Sequence, residues 1–275
     1  MMRLLFLALL WCAAAASQPP FFFVQMSDPQ FGMYTDNAGF EHETANFEFA
    51  IATANRLKPA FVVVTGDLIN KPGDAAQANE YKRIAARLDP SIKLYSVPGN
   101  HDVQNEPTPA SLAWYRERFG PDYYSFRAGD MAGFVLDSSL EKAPQNVVEE
   151  ARKQEAWLRA ELAKAKQEGV KHLIVFQHHP LFLNDPREPE QYFNIGLETR
   201  QRYLSLLHEY GVKWVFAGHY HRNDYGRDGD LQMVTTGPVG KPLEGARSGM
   251  RVVVLKNGAF EQRYLEFGDL PESIQ

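Results

Sequence analysis

Five short apolar runs in this 275-residue sequence each end in residues that could bind a metal ion. The segments that follow these runs are Ser27-Asp28-Pro29-Gln30, Thr65-Gly66-Asp67, Pro98-Gly99-Asn100-His101-Asp102, Gln177-His178-His179-Pro180 and Gly218-His219-Tyr220-His221. Carboxylate, amide and imidazole ligands without thiolates suit divalent ions such as Mn, Fe, Zn, Co or Mg. These ligands are more numerous than one ion needs, so the pattern predicts a site for more than one metal ion.

Each segment also has an ordinary explanation when it is considered alone. Asp-Pro often starts a turn, Gly-Asp is a common loop pair, and Asn-His-Asp after Pro-Gly could be a turn with helix caps. The pair His178-His179 could be a buried core histidine beside a loop. This account must hold five times, in chain order, always at the end of an apolar run, and we therefore reject it. His42, His172 and His208 lie outside the pattern, and we expect them to be structural or solvent-exposed.

The five apolar runs are predicted to be buried strands, because they are short and rich in β-branched and aromatic residues. They cover 21–26, 61–64, 92–97, 173–176 and 214–217. Mixed apolar and charged periodicity predicts helices over 43–57, 75–88, 111–119, 147–168 and 197–210. Further strands are expected near 123–126, 131–136, 231–236, 250–255 and 259–266, the last two joined by an Asn257-Gly258 hairpin turn.

This order of elements predicts one domain of α/β class. Ligands in an open α/β sheet bind at the carboxyl ends of the strands, so we expect all five segments to meet at one sheet edge. The hairpin-rich end of the chain could form a second, packed sheet. The tail after Phe267 is expected to be a surface extension.

Composition and charge exclude several function classes. The chain is 44% hydrophobic and 23% charged, which is typical of a globular protein. It has 29 Lys and Arg residues against 34 Asp and Glu residues, and no run of basic residues. Because nucleic-acid binding depends on cations that neutralise phosphates, we expect no nucleic-acid partner.

The first residues have the pattern of an export signal. Arg3 precedes an apolar run over 4–16 that ends in small residues, which predicts a signal peptide over 1–17 and a mature domain over 18–275. The run is shorter than the roughly 20 residues that cross a bilayer, so no membrane span is expected in the mature chain. A retained amino-terminal anchor is the alternative. Cys12 is the one cysteine, so cleavage leaves none, as suits a periplasmic or secreted protein without disulfides.

The ordered motifs resemble the calcineurin-like metallophosphoesterases. The residues that carry this likeness are Asp28, Gly66-Asp67, Gly99-Asn100-His101-Asp102, His178 and Gly218-His219-Tyr220-His221. A closer likeness is to the subfamily of calcineurin-like phosphoesterase domain-containing protein 1. It rests on Ser27-Asp28-Pro29-Gln30-Phe31-Gly32, Tyr192-Phe193-Asn194, His219-Tyr220-His221-Arg222-Asn223 and Arg251-Val252-Val253-Val254. The resemblance implies a four-layer α/β/β/α sandwich.

The resemblance also implies two divalent metal ions, drawn from Mn, Fe, Zn or Mg. One would be held by Asp28, Gln30, Asp67 and His221, and the other by Asp67, Asn100, His178 and His219. Most of the family has histidine where this chain has Gln30. An amide oxygen is a harder and weaker donor than imidazole, so we expect a labile site that favours Mn. Gln30 could bind the ion directly or only order a water molecule on it.

The implied reaction is hydrolysis of a phosphoester by a metal-activated hydroxide. His101 would contact the substrate phosphate or the leaving group, and Asp102 would orient His101. Asn100 and Arg222 would complete substrate binding, although Arg222 could equally be a surface residue. Tyr192 and Phe193 could form a wall of the leaving-group pocket or only pack.

The resemblance points to a phosphomonoesterase similar to serine/threonine phosphatases, with a phosphorylated small molecule or a phosphoprotein as substrate. The first alternative is a phosphodiesterase on nucleotides or glycerophosphodiesters, since the same centre serves both reactions. A second alternative is a metal- or phosphate-binding protein without turnover. A nuclease is disfavoured because the chain lacks a basic track for a polymer.

Overall fold

All five predicted strands are present in the computed structural model of the protein, which describes residues 20–256 and 258–274, although the third lies at a sheet edge and is only partly buried, so its predicted burial is wrong. The strands are β1 (Phe21–Met26), β2 (Phe61–Thr65), β3 (Lys93–Val97), β4 (Tyr124–Ala128), β5 (Met131–Val135), β6 (His172–Phe176), β7 (Trp214–Ala217), β8 (Asp224–Asp228), β9 (Leu231–Thr235), β10 (Gly249–Lys256) and β11 (Ala259–Glu266). The helices are α1 (Glu41–Leu57), α2 (Ala75–Ala85), α3 (Asn100–Val103), α4 (Pro109–Phe119), α5 (Ser139–Lys142), α6 (Val148–Gln167) and α7 (Leu197–Tyr210). The predicted signal peptide over 1–17 and Asn257 of the predicted turn lie outside the described residues.

The strands form two sheets, so the expectation of a single ligand-bearing sheet edge is wrong. One sheet has the order β11-β10-β1-β2-β3, and the other has the order β4-β5-β6-β7-β9-β8. The first three motif-bearing strands therefore belong to one sheet and the last two to the other. The carboxyl-terminal hairpin does not build the second sheet either. Because β1 is apolar and buried, it needs a hydrogen-bonded neighbour on each edge, and these are parallel β2 and antiparallel β10.

Alternating side chains on the strands explain why the two sheets stack. On β1, Val24 and Met26 pack outward against α1 and α2, through Phe47 and Tyr81. Phe23, between them, points to the other face. Strands with two apolar faces must be covered on both sides, which excludes a sheet exposed on one face.

The inner faces of the two sheets meet in an aromatic layer. Phe23 stacks on Phe61 with ring centroids 4.7 Å apart and contacts Phe176 of the second sheet edge-on at 5.7 Å. On the far side of the second sheet, Val175 and Val215 pack against α6 and α7. The layers are therefore helix, sheet, sheet and helix, and the predicted α/β/β/α sandwich is confirmed.

One strand and two short helices were not predicted from the sequence, because their segments are polar. The run Asp224–Asp228 forms edge strand β8, although it has no apolar alternation, because β9 pairs with it. The short helices α3 and α5 lie inside loops. The tail after Phe267 runs over the surface as expected, and its Leu270 and Ile274 pack against the helix-facing core. Within the described residues, no helix is both long enough and apolar enough to cross a membrane.

Candidate metal centre

The seven predicted metal ligands are all buried, and they lie where the motif-bearing strands of both sheets end. They are Asp28, Gln30, Asp67, Asn100, His178, His219 and His221. Two groups of possible ligand atoms, each within 4.8 Å of one another, are Asp67 with His178 and His219, and Asp28 with Asp67 and His221. Asp67 belongs to both groups, as a carboxylate bridging two ions must. The structure thus brings the predicted ligands together, and their metal binding stays a prediction.

The second predicted ligand set converges around His178. Its Nε2 lies 3.2 Å from Asp67 Oδ2 and 3.0 Å from Asn100 Oδ1. His219 Nδ1 lies 3.1 Å from the same Nε2. The Asn100 amide nitrogen points away and donates to Asn105 Oδ1 at 2.9 Å, so the amide oxygen faces the histidines.

Backbone carbonyls determine which imidazole nitrogens are free. His178 Nδ1 lies 2.9 Å from the Thr65 carbonyl, and His219 Nε2 lies 3.3 Å from the Tyr192 carbonyl. Because a carbonyl only accepts, each of these nitrogens carries the hydrogen. His178 Nε2 and His219 Nδ1 therefore present lone pairs to each other and to the oxygens of Asp67 and Asn100. A proton on His178 or a bound cation must separate such buried acceptors, and a divalent metal ion fits this donor set.

The first predicted ligand set has the same character. His221 Nδ1 donates to the Lys241 carbonyl at 2.6 Å, which leaves Nε2 free, 3.4 Å from Asp28 Oδ1. The Gln30 amide nitrogen donates to Asn70 Oδ1 at 3.2 Å. Gln30 Oε1 is buried and has no hydrogen-bond partner. An unpartnered buried oxygen is costly unless a ligand satisfies it, so Gln30 Oε1 is available to a metal ion or to a water molecule bound to one.

Five of the predicted ligands have a left-handed backbone, which costs free energy for any residue other than glycine. Their φ angles are 47° at Asp28, 40° at Gln30, 49° at Asp67, 68° at His219 and 54° at His221. Position 218 requires glycine, because a Cβ there would overlap Ser27 Oγ and lie 2.6 Å from Asp28 Oδ2. This strain is typical of a functional site.

The charged groups of the centre shift one another's pKa values. Burial raises the pKa of Asp67, but His178, His101 and His219 outweigh it and hold that pKa well below its usual range. Burial lowers the pKa of His178, but Asp67 outweighs it and raises the pKa to about 9. Burial and the neighbouring His178 lower the pKa of His219 to about 3. In the metal-free centre, a proton on His178 therefore neutralises Asp67.

The predicted role of Asp102 in orienting His101 stays a prediction, and within the described residues no hydrogen bond joins the two side chains. The backbone N–H of His101 donates to Asp67 Oδ1 at 2.9 Å, and its ring Nδ1 donates to the Asn70 carbonyl at 2.6 Å. Asp102 instead accepts the backbone N–H groups of Leu68 at 2.9 Å and Gly99 at 2.8 Å. Its carboxylate ties the loop after β2 to the loop after β3. It supports the segment that contains Asn70 and does not contact the imidazole.

Comparison with known proteins agrees with this geometry. Residues 23–223 match the family model described as calcineurin-like phosphoesterase. The chain belongs to the calcineurin-like phosphoesterase family. It is 37% identical over 269 residues to a Homo sapiens protein named serine/threonine-protein phosphatase CPPED1, covering 92% of this chain and 86% of that protein. The Danio rerio protein of that name is 36% identical over 268 residues, covering 92% and 87%. The predicted family and subfamily are confirmed, and the chain is a phosphoester hydrolase.

Solved structures of this family share the fold. A dimetal phosphatase from Danio rerio has a TM-score of 0.64 at 18% identity, covering 91% of this chain and 97% of that one. A purple acid phosphatase from yellow lupin has a TM-score of 0.69 at 13% identity, covering 92% and 53%. At these identities the likeness establishes the sandwich fold alone.

One histidine neighbour of the phosphoesterase centre, His179, was not among the predicted site residues. His179 is buried, its Nδ1 lies 2.9 Å from Ser138 Oγ, and its ring centroid lies 4.3 Å from that of His219. Burial, with smaller contributions from His219 and His178, places the pKa of His179 well below its usual range. It is a neutral packing partner of His219. The family resemblance implies that His178 is the ligand of this pair, and His178 is the histidine that lies beside Asp67 and Asn100.

Two residues at the edge of the site, Arg222 and Tyr192, differ in how their positions fit the predicted roles. Arg222 is held by an ion pair with Glu244 and lies over the Tyr220 ring at 4.1 Å. Its predicted phosphate contact would need that ion pair to open. Tyr192 is 54% exposed, with its ring centroid 4.9 Å from that of His219 and its hydroxyl 3.4 Å from Asn100 Nδ2. Tyr192 therefore borders the opening of the centre.

Metal uptake should release protons at neutral pH. Because Asp67 raises the pKa of His178 to about 9, His178 is protonated in the metal-free centre below that pH and must lose a proton to bind a metal ion. Through His178, the apparent affinity for the metal ion should fall about tenfold for each pH unit below that pKa. Above that pKa, this group should no longer change the affinity. Titration calorimetry of Mn²⁺ in two buffers of different ionisation enthalpy measures the release. His208→Gln, a substitution of a surface histidine, should leave it unchanged, and buffer-independent heats for the unmodified chain would contradict the prediction.

Proposed function

We propose that the chain is a manganese-dependent phosphomonoesterase that acts on phosphoserine- or phosphothreonine-like substrates. The observation that carries the proposal is the pair of acceptor-only clusters that share Asp67, beside an imidazole, His101, that lies outside both. Asp28, Gln30, Asp67 and His221 would hold one divalent ion. The second would be held by Asp67, Asn100, His178 and His219. Such ions supply a water-derived nucleophile and neutralise the phosphoryl oxygens.

The choice of manganese rests on the donor set. The set combines carboxylate, imidazole and the amide oxygens of Asn100 and Gln30, with no thiolate. Oxygen-rich sets of this kind suit Mn and Mg more than iron. The monoester choice is supported by relatives named serine/threonine-protein phosphatase at 34–37% identity.

His101 is the residue placed to handle the leaving group. Its Nδ1 hydrogen is committed to the Asn70 carbonyl, which fixes the ring orientation. Nε2 is therefore the nitrogen available to bond with a phosphoryl or leaving-group oxygen and to transfer a proton to it. The backbone N–H of His101 also donates to Asp67, which holds His101 beside the carboxylate that both metal ions would share.

The function is tested with para-nitrophenyl phosphate, with added Mn²⁺ and with chelator, together with the metal content per chain. We expect close to two ions and chelator-sensitive hydrolysis, with bis(para-nitrophenyl) phosphate hydrolysed less efficiently. Asp67→Asn removes the shared carboxylate, so it should lose metal and at least about a hundredfold in kcat/KM, since metal stabilisation is worth several kcal/mol.

The control for Asp67→Asn is Asp130→Asn, an exposed aspartate that pairs with Lys171. This variant should keep both metals and full activity. A preference for the diester would replace the proposal with a phosphodiesterase. A metal-loaded chain that hydrolyses no ester of a broad panel would be a binding protein. Full activity and metal content in Asp67→Asn would overturn the shared-carboxylate centre.

Tyr192 should contribute to leaving-group binding. Its half-exposed ring beside His219 can contact an aryl group, and such contacts are worth about 1 kcal/mol, or about fivefold in KM. Tyr192→Ala should raise KM for para-nitrophenyl phosphate by this factor and less for O-phosphoserine, whereas Tyr192→Phe should stay close to the original. Phe49→Ala, at an exposed ring that packs on Phe267, serves as control. Equal KM values for Tyr192→Ala and the unmodified chain would remove Tyr192 from the pocket.

We further propose that the chain is exported. The support is the sequence alone, in which Arg3, the apolar run over 4–16 and Ser17 have the form of a cleavable signal. Expressed in a bacterial host, the protein should appear in the periplasm with an intact mass lacking residues 1–17 or 1–16. Leu9→Arg, which interrupts the apolar run, should keep the full mass in the cytoplasm. An unprocessed cytoplasmic protein without that substitution would contradict export.

A further inference from the structure

A chain of buried hydrogen bonds runs between the two sheets and ends on Asp28. Its members are Arg251, Thr236, Gln25, Thr65, Ser27 and Asp28, all buried. Ser27 and Arg251 belong to the subfamily motifs, yet neither has a place in the metal centre or in the proposed reaction. The connection from Arg251 to Asp28 gives both a role.

Each neighbouring pair of side chains in the chain is joined by a hydrogen bond. Arg251 Nε donates to Thr236 Oγ1 at 2.7 Å, and the Thr236 hydroxyl donates to Gln25 Oε1 at 2.6 Å. Gln25 Nε2 donates to Thr65 Oγ1 at 3.0 Å. The Thr65 hydroxyl donates to Ser27 Oγ at 2.9 Å, and the Ser27 hydroxyl donates to Asp28 Oδ2.

The direction of donation is fixed at three points. A guanidinium only donates, so the chain starts at Arg251, and a carboxylate only accepts, so it ends at Asp28. In the middle, Gln25 Nε2 also donates to the Ala217 carbonyl at 3.0 Å, which fixes the amide orientation. The Thr65 hydroxyl has a second, more distant acceptor in the Met26 carbonyl at 3.3 Å, and donation to the nearer Ser27 Oγ gives dipoles that all point the same way. Hydrogen bonds aligned in this manner strengthen one another.

Arg251 is a buried cation that has neutral partners. Besides Thr236, its guanidinium donates to Asn223 Oδ1 at 2.5 Å, to the Thr235 carbonyl at 3.3 Å and to Gln262 Oε1. Burial lowers the pKa of Arg251 to about 10, so it stays charged at neutral pH. Within residues 20–256 and 258–274, no carboxylate lies in ion-pair distance of it. A buried charge needs compensation, and the aligned chain leads from it to the carboxylate of Asp28.

We propose that Ser27, Thr65, Gln25, Thr236 and Arg251 form a positioning relay for the metal ligand Asp28. The relay engages Asp28 Oδ2 through the Ser27 hydroxyl, while Oδ1 faces His221 Nε2, 3.4 Å away. The backbone N–H of His219 is shared by both oxygens, at 3.2 and 3.1 Å, and Ser27 is the side-chain partner that distinguishes them. It thereby selects which carboxylate oxygen is presented to the first metal ion. Asp28 is a ligand of the first site alone, and because that site also has the weaker donor Gln30, its affinity depends strongly on an ordered Asp28. The relay rests on the proposed metal centre.

The test compares Thr236→Val with Thr236→Ser in the full chain. Valine has a similar shape but breaks both hydrogen bonds of the hydroxyl, whereas serine keeps the hydroxyl. Mn²⁺ binding is followed by titration calorimetry and by electron paramagnetic resonance, which separates single from spin-coupled ions. Asp28→Asn identifies the binding step that belongs to the first site.

We expect Thr236→Val to weaken the first site by about three- to tenfold and to leave the second unchanged, with Thr236→Ser close to the original. Ser27→Ala removes the direct partner of Asp28 and should weaken the first site by about 10–100-fold. Thr65→Val and Thr65→Ser form a second matched pair if Thr236→Val does not fold.

Three outcomes would overturn the relay. If Thr236→Val binds both ions like the original chain, Asp28 does not depend on the relay, although the metal centre stands. If both sites weaken equally while Tm falls, the residues support the fold in general and not Asp28. If the unmodified chain binds no Mn²⁺, the proposed centre fails and the relay fails with it.

Discussion

The structure depends on one arrangement above all: the buried carboxylate of Asp67 lies within reach of the side chains of His178, His219 and His221. Both candidate metal clusters contain this carboxylate. Its position requires a left-handed backbone at Asp67 and a glycine at position 99, where a Cβ would overlap the Asp67 backbone nitrogen. Neither feature stabilises the fold. Both place Asp67 among buried ligand atoms of the kind that bind a cation.

The two-sheet sandwich makes this arrangement possible. One sheet supplies Asp28, Asp67 and Asn100, and the other supplies His178 and His219, so neither sheet could form the centre alone. The aromatic layer around Phe23 and Phe61 holds the two sheets together with generic apolar packing. Above that layer, the polar chain from Arg251 to Asp28 links the sheets with directional bonds. Apolar packing sets their spacing, and the hydrogen bonds set the orientation of a ligand.

The sequence predicted those features of the molecule that follow directly from residue type, which are the strands and the ligand residues after them. The apolar runs located the motif-bearing strands, and the residues after them are the ones that converge. Residue patterns alone did not divide the strands between two sheets, although the family resemblance implied a two-sheet sandwich, because the pairing of β1 with β10 joins segments from opposite ends of the chain. The hydrogen-bond partner of the His101 ring was also not predicted. It is the carbonyl of Asn70, and every residue has a carbonyl, so residue type does not indicate this partner.

The same donor set bears on the choice between monoester and diester. Asp28 and Asp67 are the carboxylates of the predicted ligand set, and its other members are neutral amides and imidazoles. Gln30 adds an oxygen without adding charge, unlike an aspartate or glutamate at that position. With two divalent ions bound, the centre would keep an excess of positive charge, while nearby Arg222 is already paired with Glu244. A phosphomonoester dianion neutralises that excess more fully than a diester monoanion does, which favours the monoester on electrostatic grounds.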